Sequence, residues 1–177
     1  MVLGSFAGIK ALTSSMGPAA YGQLGLGMTI AGLLNQFIYA PLSQAAFRFY
    51  SVYRERVALQ IYFQVFKRIY LLLAIFVVSF CGASMAVVYA WFGPEWAWLT
   101  VTALLFGLAS GTNGFFQTLN TARRIRKTVA LHEGADPWFR MAGALAGLYF
   151  FGNHGYVALS GYLLGTLVVT TSQAIFF

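Results

Sequence analysis

Charge is missing from this chain over long unbroken distances. Residues 11–47, 69–94, 96–122 and 141–177 contain no Asp, Glu, Lys or Arg. A helix that crosses a bilayer needs roughly 20 apolar residues, whereas a soluble fold must spread charge over its surface. Each run is long enough for a span, and those at 11–47 and 141–177 contain internal breaks that divide them. Composition agrees, with 59% of the 177 residues hydrophobic, 8% charged and a mean hydropathy of +0.72. A water-soluble domain, a disordered chain, a coiled coil and a collagen-like fibre are excluded. The single cysteine, Cys81, lies inside an apolar run, so it supports neither a disulfide framework nor a thiolate metal site.

The expected fold is all-α: a polytopic transmembrane helix bundle forming one lobe over residues 1–177, with five complete spans and one partial N-terminal helix. The partial helix covers 2–16 and stops at Gly17-Pro18, because proline has no backbone N–H to donate. Its reach of about 22 Å is short of a hydrocarbon core about 30 Å thick, so further N-terminal sequence is expected. Complete spans are expected at 25–47, with a kink at Pro41, and at 69–92, 97–122, 128–151 and 156–177. Gly93-Pro94-Glu95 and Gly152-Asn153-His154-Gly155 read as turns, with Trp91, Trp96 and Trp98 as an interfacial belt. Between Ser51 and Arg68, the polar residues Arg56, Gln60, Gln64 and Lys67 share one helical stripe. It reads as a helix at the membrane surface, either a solvated extension of the next span or a lipid contact.

The formal charge is +7, from 11 Lys and Arg against 4 Asp and Glu, and its location matters more than its size. Basic residues gather at 48–68 and 123–140, while the connections at 17–24, 92–97 and 152–156 have none. Lys and Arg are retained on the cytoplasmic side of membrane proteins, so both termini are expected in the cytoplasm. The same placement, beside apolar runs, argues against nucleic acid as a partner despite a pI near 9.8. Lys10 stands in the middle of the first apolar segment and no small-residue cleavage site precedes the turn, which argues against a signal peptide.

Polar residues inside the runs are the candidate functional groups. Ser110, Asn113, Gln117 and Asn120 recur at spacings of three, four and three, and Tyr162, Thr166, Thr170 and Gln173 at four, four and three. Each set lies along one helix face. Asn35 and Gln44 punctuate the second span. Interhelical hydrogen bonding is the ordinary use of such residues, but aligned stripes on two helices are also what the walls of a hydrated cavity present. Lys10 and Arg48 are cations at or near membrane depth, where an ionisable group is expensive and by default functional. Arg48 at the end of its helix also has the option of snorkelling to the headgroups. All four acids are expected in loops, leaving Lys10 without a carboxylate partner. The candidate substrate-binding set is therefore Lys10, Asn35, Gln44, Arg48, Asn113, Gln117, Asn120, Thr166, Thr170 and Gln173. Three G-x-x-x-G spacings, Gly107–Gly111, Gly143–Gly147 and Gly161–Gly165, permit close helix approach either within one chain or between two.

Enzymatic readings find little to build on. With no acid expected in a span, an intramembrane aspartyl dyad and most carboxylate metal sites are not expected. His132, read as a loop residue, and His154, in a turn, do not complete a zinc site with one cysteine. Gly82-Ala83-Ser84-Met85 lacks the second glycine of a nucleophile turn, and neither a P-loop nor a G-x-G-x-x-G is present. No enzyme activity and no cofactor are expected.

The stretch Leu12-Thr13-Ser14-Ser15-Met16-Gly17-Pro18-Ala19-Ala20-Tyr21-Gly22, followed by Gln44-Ala45-Ala46-Phe47-Arg48-Phe49-Tyr50, resembles the LLGPEEYG … GLGQAAxRFY opening of polysaccharide flippases. These are lipid-linked oligosaccharide (O-antigen-type) exporters of the MATE-like/MOP superfamily. Gln117 to Lys127 is similar to the end of that family's fourth helix and its basic loop, and Leu159-Ser160-Gly161-Tyr162-Leu163-Leu164-Gly165 to its sixth helix. The resemblance covers nearly the whole chain in register. It implies the N-terminal six-helix lobe of a bacterial inner-membrane transporter that rocks against a second lobe, supplied by a missing C-terminal half or a second chain. It also implies a lipid-linked oligosaccharide as substrate, membrane lipid as surroundings, and Lys10 and Arg48 as the cations that hold its pyrophosphate. Multidrug antiporters share the superfamily and are the alternative, as is a truncated, non-transporting subunit.

Overall fold

The computed structural model describes residues 2–55 and 58–175, and every described element is helical. In chain order these are α1 Val2–Ser15, α2 Pro18–Leu34, a π-helical segment Asn35–Tyr39, α3 Ala40–Glu55, α4 Leu59–Phe92, α5 Pro94–Ala122, α6 Arg126–Phe151 and α7 Gly155–Ile175. Three of them, α4, α5 and α7, are long and apolar enough to cross a membrane. At 34 residues α4 is about 51 Å long, well beyond the roughly 30 Å of a hydrocarbon core.

Helix α2, the π segment and α3 are continuous, since Leu34, Asn35 and Ala40 at the junctions all keep right-handed helical dihedrals. The rod starts at Pro18 and ends at Glu55, beyond both ends of the expected 25–47 span. Its irregularity precedes Pro41. Proline removes one helical donor and its ring crowds the carbonyl four residues back, here that of Phe37. The chain answers with wider bonding, in which the Ala40 N–H reaches the Asn35 carbonyl.

Helix α5 is the axis of the bundle, packed against α2, the π segment, α3, α4, α6 and α7. Leu99, Ala103, Phe106 and Leu119 are buried along it. By contrast α4 leaves Leu71, Leu72, Ile75, Phe76, Val78 and Phe80 exposed on one side, a surface suited to hydrocarbon rather than water. Cys81 is buried on the opposite side of α4, in a cluster with Val77 and Leu104.

All three G-x-x-x-G pairs are used within the chain. A methyl group built on Gly107 would meet Leu34 and the Ala31 backbone, and one on Gly111 would meet the Tyr39 ring and Asn35. The α6–α7 pair is tighter still. Gly143 and Gly161 touch backbone to backbone, Gly147 faces the Val157 carbonyl, and Gly165 faces Phe139 and Arg140. These contacts keep one antiparallel register along both helices, which only glycine permits at this separation.

The turns sort by charge. Gly17 lies beside Asn153, His154 Nδ1 is 3.9 Å from Glu95 Oε1, and the Gly155 N–H donates to Gln23 Oε1 at 3.2 Å. The three connections without basic residues therefore meet at one end. Gly93 and Gly152 end their helices there with φ of 89° and 95°, a left-handed geometry that glycine adopts without a Cβ clash. Trp91, Trp96 and Trp98 are exposed at that end. Arg54, Arg124, Arg126 and Lys127 lie at the opposite end, by the antiparallel run of the helices.

Two loop expectations are corrected. Residues 123–140 are not a loop, because α6 begins at Arg126 and takes in His132, Glu133, Asp136 and Arg140. None of the acids is in a loop: Glu55 ends α3, Glu95 is in the first turn of α5, and Glu133 and Asp136 are in α6. The stretch 51–68 divides into the end of α3 and the start of α4, so that from Leu59 it is a helical extension of the next span, with Arg56 outside the described residues; Gln60, Gln64 and Lys67 share the exposed side of α4.

Candidate functional site

Helix α6 carries an ion pair into the bundle. Asp136 and Arg140, four residues apart, share a helix face, and the pairing is two-pronged: Arg140 Nε donates to Asp136 Oδ1 at 3.0 Å and Nη2 to Oδ2 at 2.7 Å. Their side chains are only 13% and 23% exposed. Asn113 Nδ2 from α5 approaches the same Oδ1 at 3.4 Å, and the guanidinium lies over the Phe106 ring, 5.3 Å from its centre. Pro137 beside the acid cannot donate to the Glu133 carbonyl, which loosens this turn. The pair lines a cleft of about 240 Å³ with Gly8 of α1, Met28 of α2, Met141 of α6 and Tyr162 of α7. A forked cation held beside an apolar cleft can take a phosphate or carboxylate in exchange for Asp136.

A second cleft, of about 310 Å³, lies between α3 and α5 and is lined by Ser43, Gln44, Phe47, Arg48 and Thr118. It brings together the expected residues Gln44 and Arg48, both exposed. Lys10 is exposed on α1, and its ammonium forms no ion pair with a described residue.

Of the two polar stripes, Tyr162 reaches the first cleft, while most of the other members are closed in. Asn113, Asn120, Thr166, Thr170 and Gln173 are at most 8% exposed, closed between the helices, and line neither cleft. Thr170 donates to the Thr166 carbonyl at 2.8 Å. Four oxygens of this seam, Asn113 Oδ1, Asn120 Oδ1, Thr166 Oγ1 and Gln173 Oε1, are buried with no hydrogen-bond partner among the described residues. Asn35 is committed elsewhere, donating to Ser110 Oγ at 2.8 Å and to the Ala31 carbonyl at 2.9 Å. Gln117 is half-buried.

Spacing and burial expectations from the sequence do not single out Asp136, Arg140 or Phe106, and they place His132 in a loop. His132 is 3% exposed, its Nδ1 2.8 Å from the Thr128 carbonyl and its Nε2 3.1 Å from Ser172 Oγ on α7. The sequence does carry a signal for the ion pair: an acid and an arginine at i, i+4 fall inside the expected 128–151 span, although both also belong to the basic cluster at 123–140.

No protein-family model, no curated protein and no solved structure matches the chain.

Proposed function

We propose that the chain is a transporter lobe of the inner membrane, which moves a lipid-linked oligosaccharide toward the outer leaflet for cell-surface polysaccharide synthesis. In this reading the α2–α3 rod and α6 join α4, α5 and α7 as five complete spans, α1 is partial, and both termini are cytoplasmic. The substrate headgroup travels along the two clefts that carry Arg140 and Arg48 while its hydrocarbon tail stays in lipid, and a second lobe or second chain closes the clefts from the other side. No covalent chemistry is involved. The observation that carries the reading is the Arg140–Asp136 pair lining the α1–α2–α6–α7 cleft. Lys10 and Arg48 were the only cations expected for an anionic lipid headgroup; Arg140 adds a partly buried guanidinium suited to phosphate. The resemblance of residues 12–50 to polysaccharide flippases supports the same substrate class.

A second reading, a multidrug or cation antiporter lobe, is favoured by Asp136 itself. Such exchangers couple transport through a carboxylate within the membrane, and α6 carries one. The two readings separate in one experiment. In a flippase-deficient strain the full-length protein should restore surface polysaccharide, and Arg140→Gln should lose at least tenfold of that restoration while Asp136→Asn retains more. Wild-type restoration by the Arg140→Gln, Lys10→Ala double variant overturns the flippase reading. Ion-driven efflux of a cationic dye that vanishes in Asp136→Asn establishes the antiporter.

A further inference from the structure

The transport reading makes no use of the groove between α4 and α5. On the bare side of the bundle, Phe63, Phe66 and Tyr70 of α4 and Phe115, Phe116 and Leu119 of α5 enclose about 470 Å³. This lies within the range of roughly 300–1,000 Å³ typical of small-molecule sites. Its wall is apolar because the polar groups inside satisfy one another: Tyr70 and Thr112 share a hydrogen bond, and Thr112 also donates to the Leu108 carbonyl at 2.6 Å. The groove continues past Leu71 and Ala74 onto the exposed apolar side of α4, where Ile75 and Phe76 stand.

Lys67 is the exception in this lining. It is exposed and pairs with no described carboxylate. It lies in the first third of α4, toward the basic end of the bundle and next to Arg68. A cation at the rim of a hydrocarbon slot matches one kind of molecule, a lipid whose headgroup carries a phosphate. A partner helix fits less well. From Phe63 to Ala74 the groove runs about 16 Å along α4, and its walls are bulky rings rather than the small residues that let helices approach. We propose that this groove is a site for an anionic glycerophospholipid of the leaflet at the basic end, with one acyl chain between α4 and α5 and the phosphate on Lys67.

The site is separate from the proposed transport clefts, and its test reads lipid retention rather than transport. The full chain, delipidated in detergent, is offered phosphatidylglycerol or phosphatidylcholine, and retained lipid is counted by native mass spectrometry. Wild type should retain phosphatidylglycerol about fivefold better, the effect of one lysine at an anionic surface. Lys67→Gln should abolish the preference, Ala74→Phe should fill the slot and reduce retention of both lipids with Lys67 in place, and Arg126→Gln, outside the groove, should behave as wild type. An unchanged preference in Lys67→Gln, or undiminished retention in Ala74→Phe, overturns the proposal. So does displacement of phosphatidylglycerol by an equal concentration of polyprenyl phosphate, which would make the groove a seat for the carrier tail instead.

Discussion

Asp136 and Arg140 show how one helical turn changes the meaning of a charge. In a loop, their pairing would be screened and contribute little; at 13% and 23% exposure, beside Phe106 and Asn113, it holds a carboxylate and a guanidinium away from water. Removing one partner strands the other. Asp136→Ala is expected to cost about 2 kcal/mol, below the range for a fully buried pair because some solvent reaches both groups. The check is the thermal unfolding midpoint of the purified chain in detergent, which should fall for Asp136→Ala and be largely recovered in the Asp136→Leu, Arg140→Met double variant. Recovery would show that the cost comes from the uncompensated charge and not from lost packing. The buried oxygens of Asn113, Asn120, Thr166 and Gln173 are a different case, since their positions follow from helical spacing but their enclosure does not.

At the scale of elements, the glycines separate structure from surface. Gly143 and Gly161 meet through their backbones, so a side chain on either must push α6 from α7. Gly161→Val is expected to destabilise by roughly 3 kcal/mol, as overpacking of a closed contact does. Gly82 on α4 is the control, because a built Cβ there meets nothing within 4 Å. Gly82→Val should leave the unfolding midpoint within a degree or two of wild type; equal losses in both variants would refute this account of the α6–α7 contact. The π segment is the other element-scale device. By spreading the effect of Pro41 over residues 35–39 it turns Asn35 toward Ser110 and Tyr39 toward Gly111, tying the rod to α5.

For the whole molecule, the arrangement of turns makes orientation measurable. Asn153, in a connection without basic residues, and Arg124, in the basic connection after α5, lie at opposite ends of the bundle. With buried Cys81 as the native background, Asn153→Cys should react with a membrane-impermeant thiol reagent added to intact cells, and Arg124→Cys only after lysis. The reverse pattern would invert the proposed topology. Much of this architecture was legible in the chain itself. Long uncharged runs dictate helices, because a backbone in hydrocarbon must satisfy its own hydrogen bonds, and Gly-Pro and Gly-Asn mark the turns because they end such bonding. The clustering of Arg and Lys told one end from the other. Spacing, however, describes only one helix at a time. Whether the stripe through Asn113 and Asn120 would meet water or another helix, whether the glycine pairs served this chain or a second copy, and whether Asp136 belonged to a loop or a cleft all depended on which helices became neighbours. Those outcomes were decided by packing around α5, where contacts between residues far apart in the chain determine which polar groups are closed in and which still face an opening.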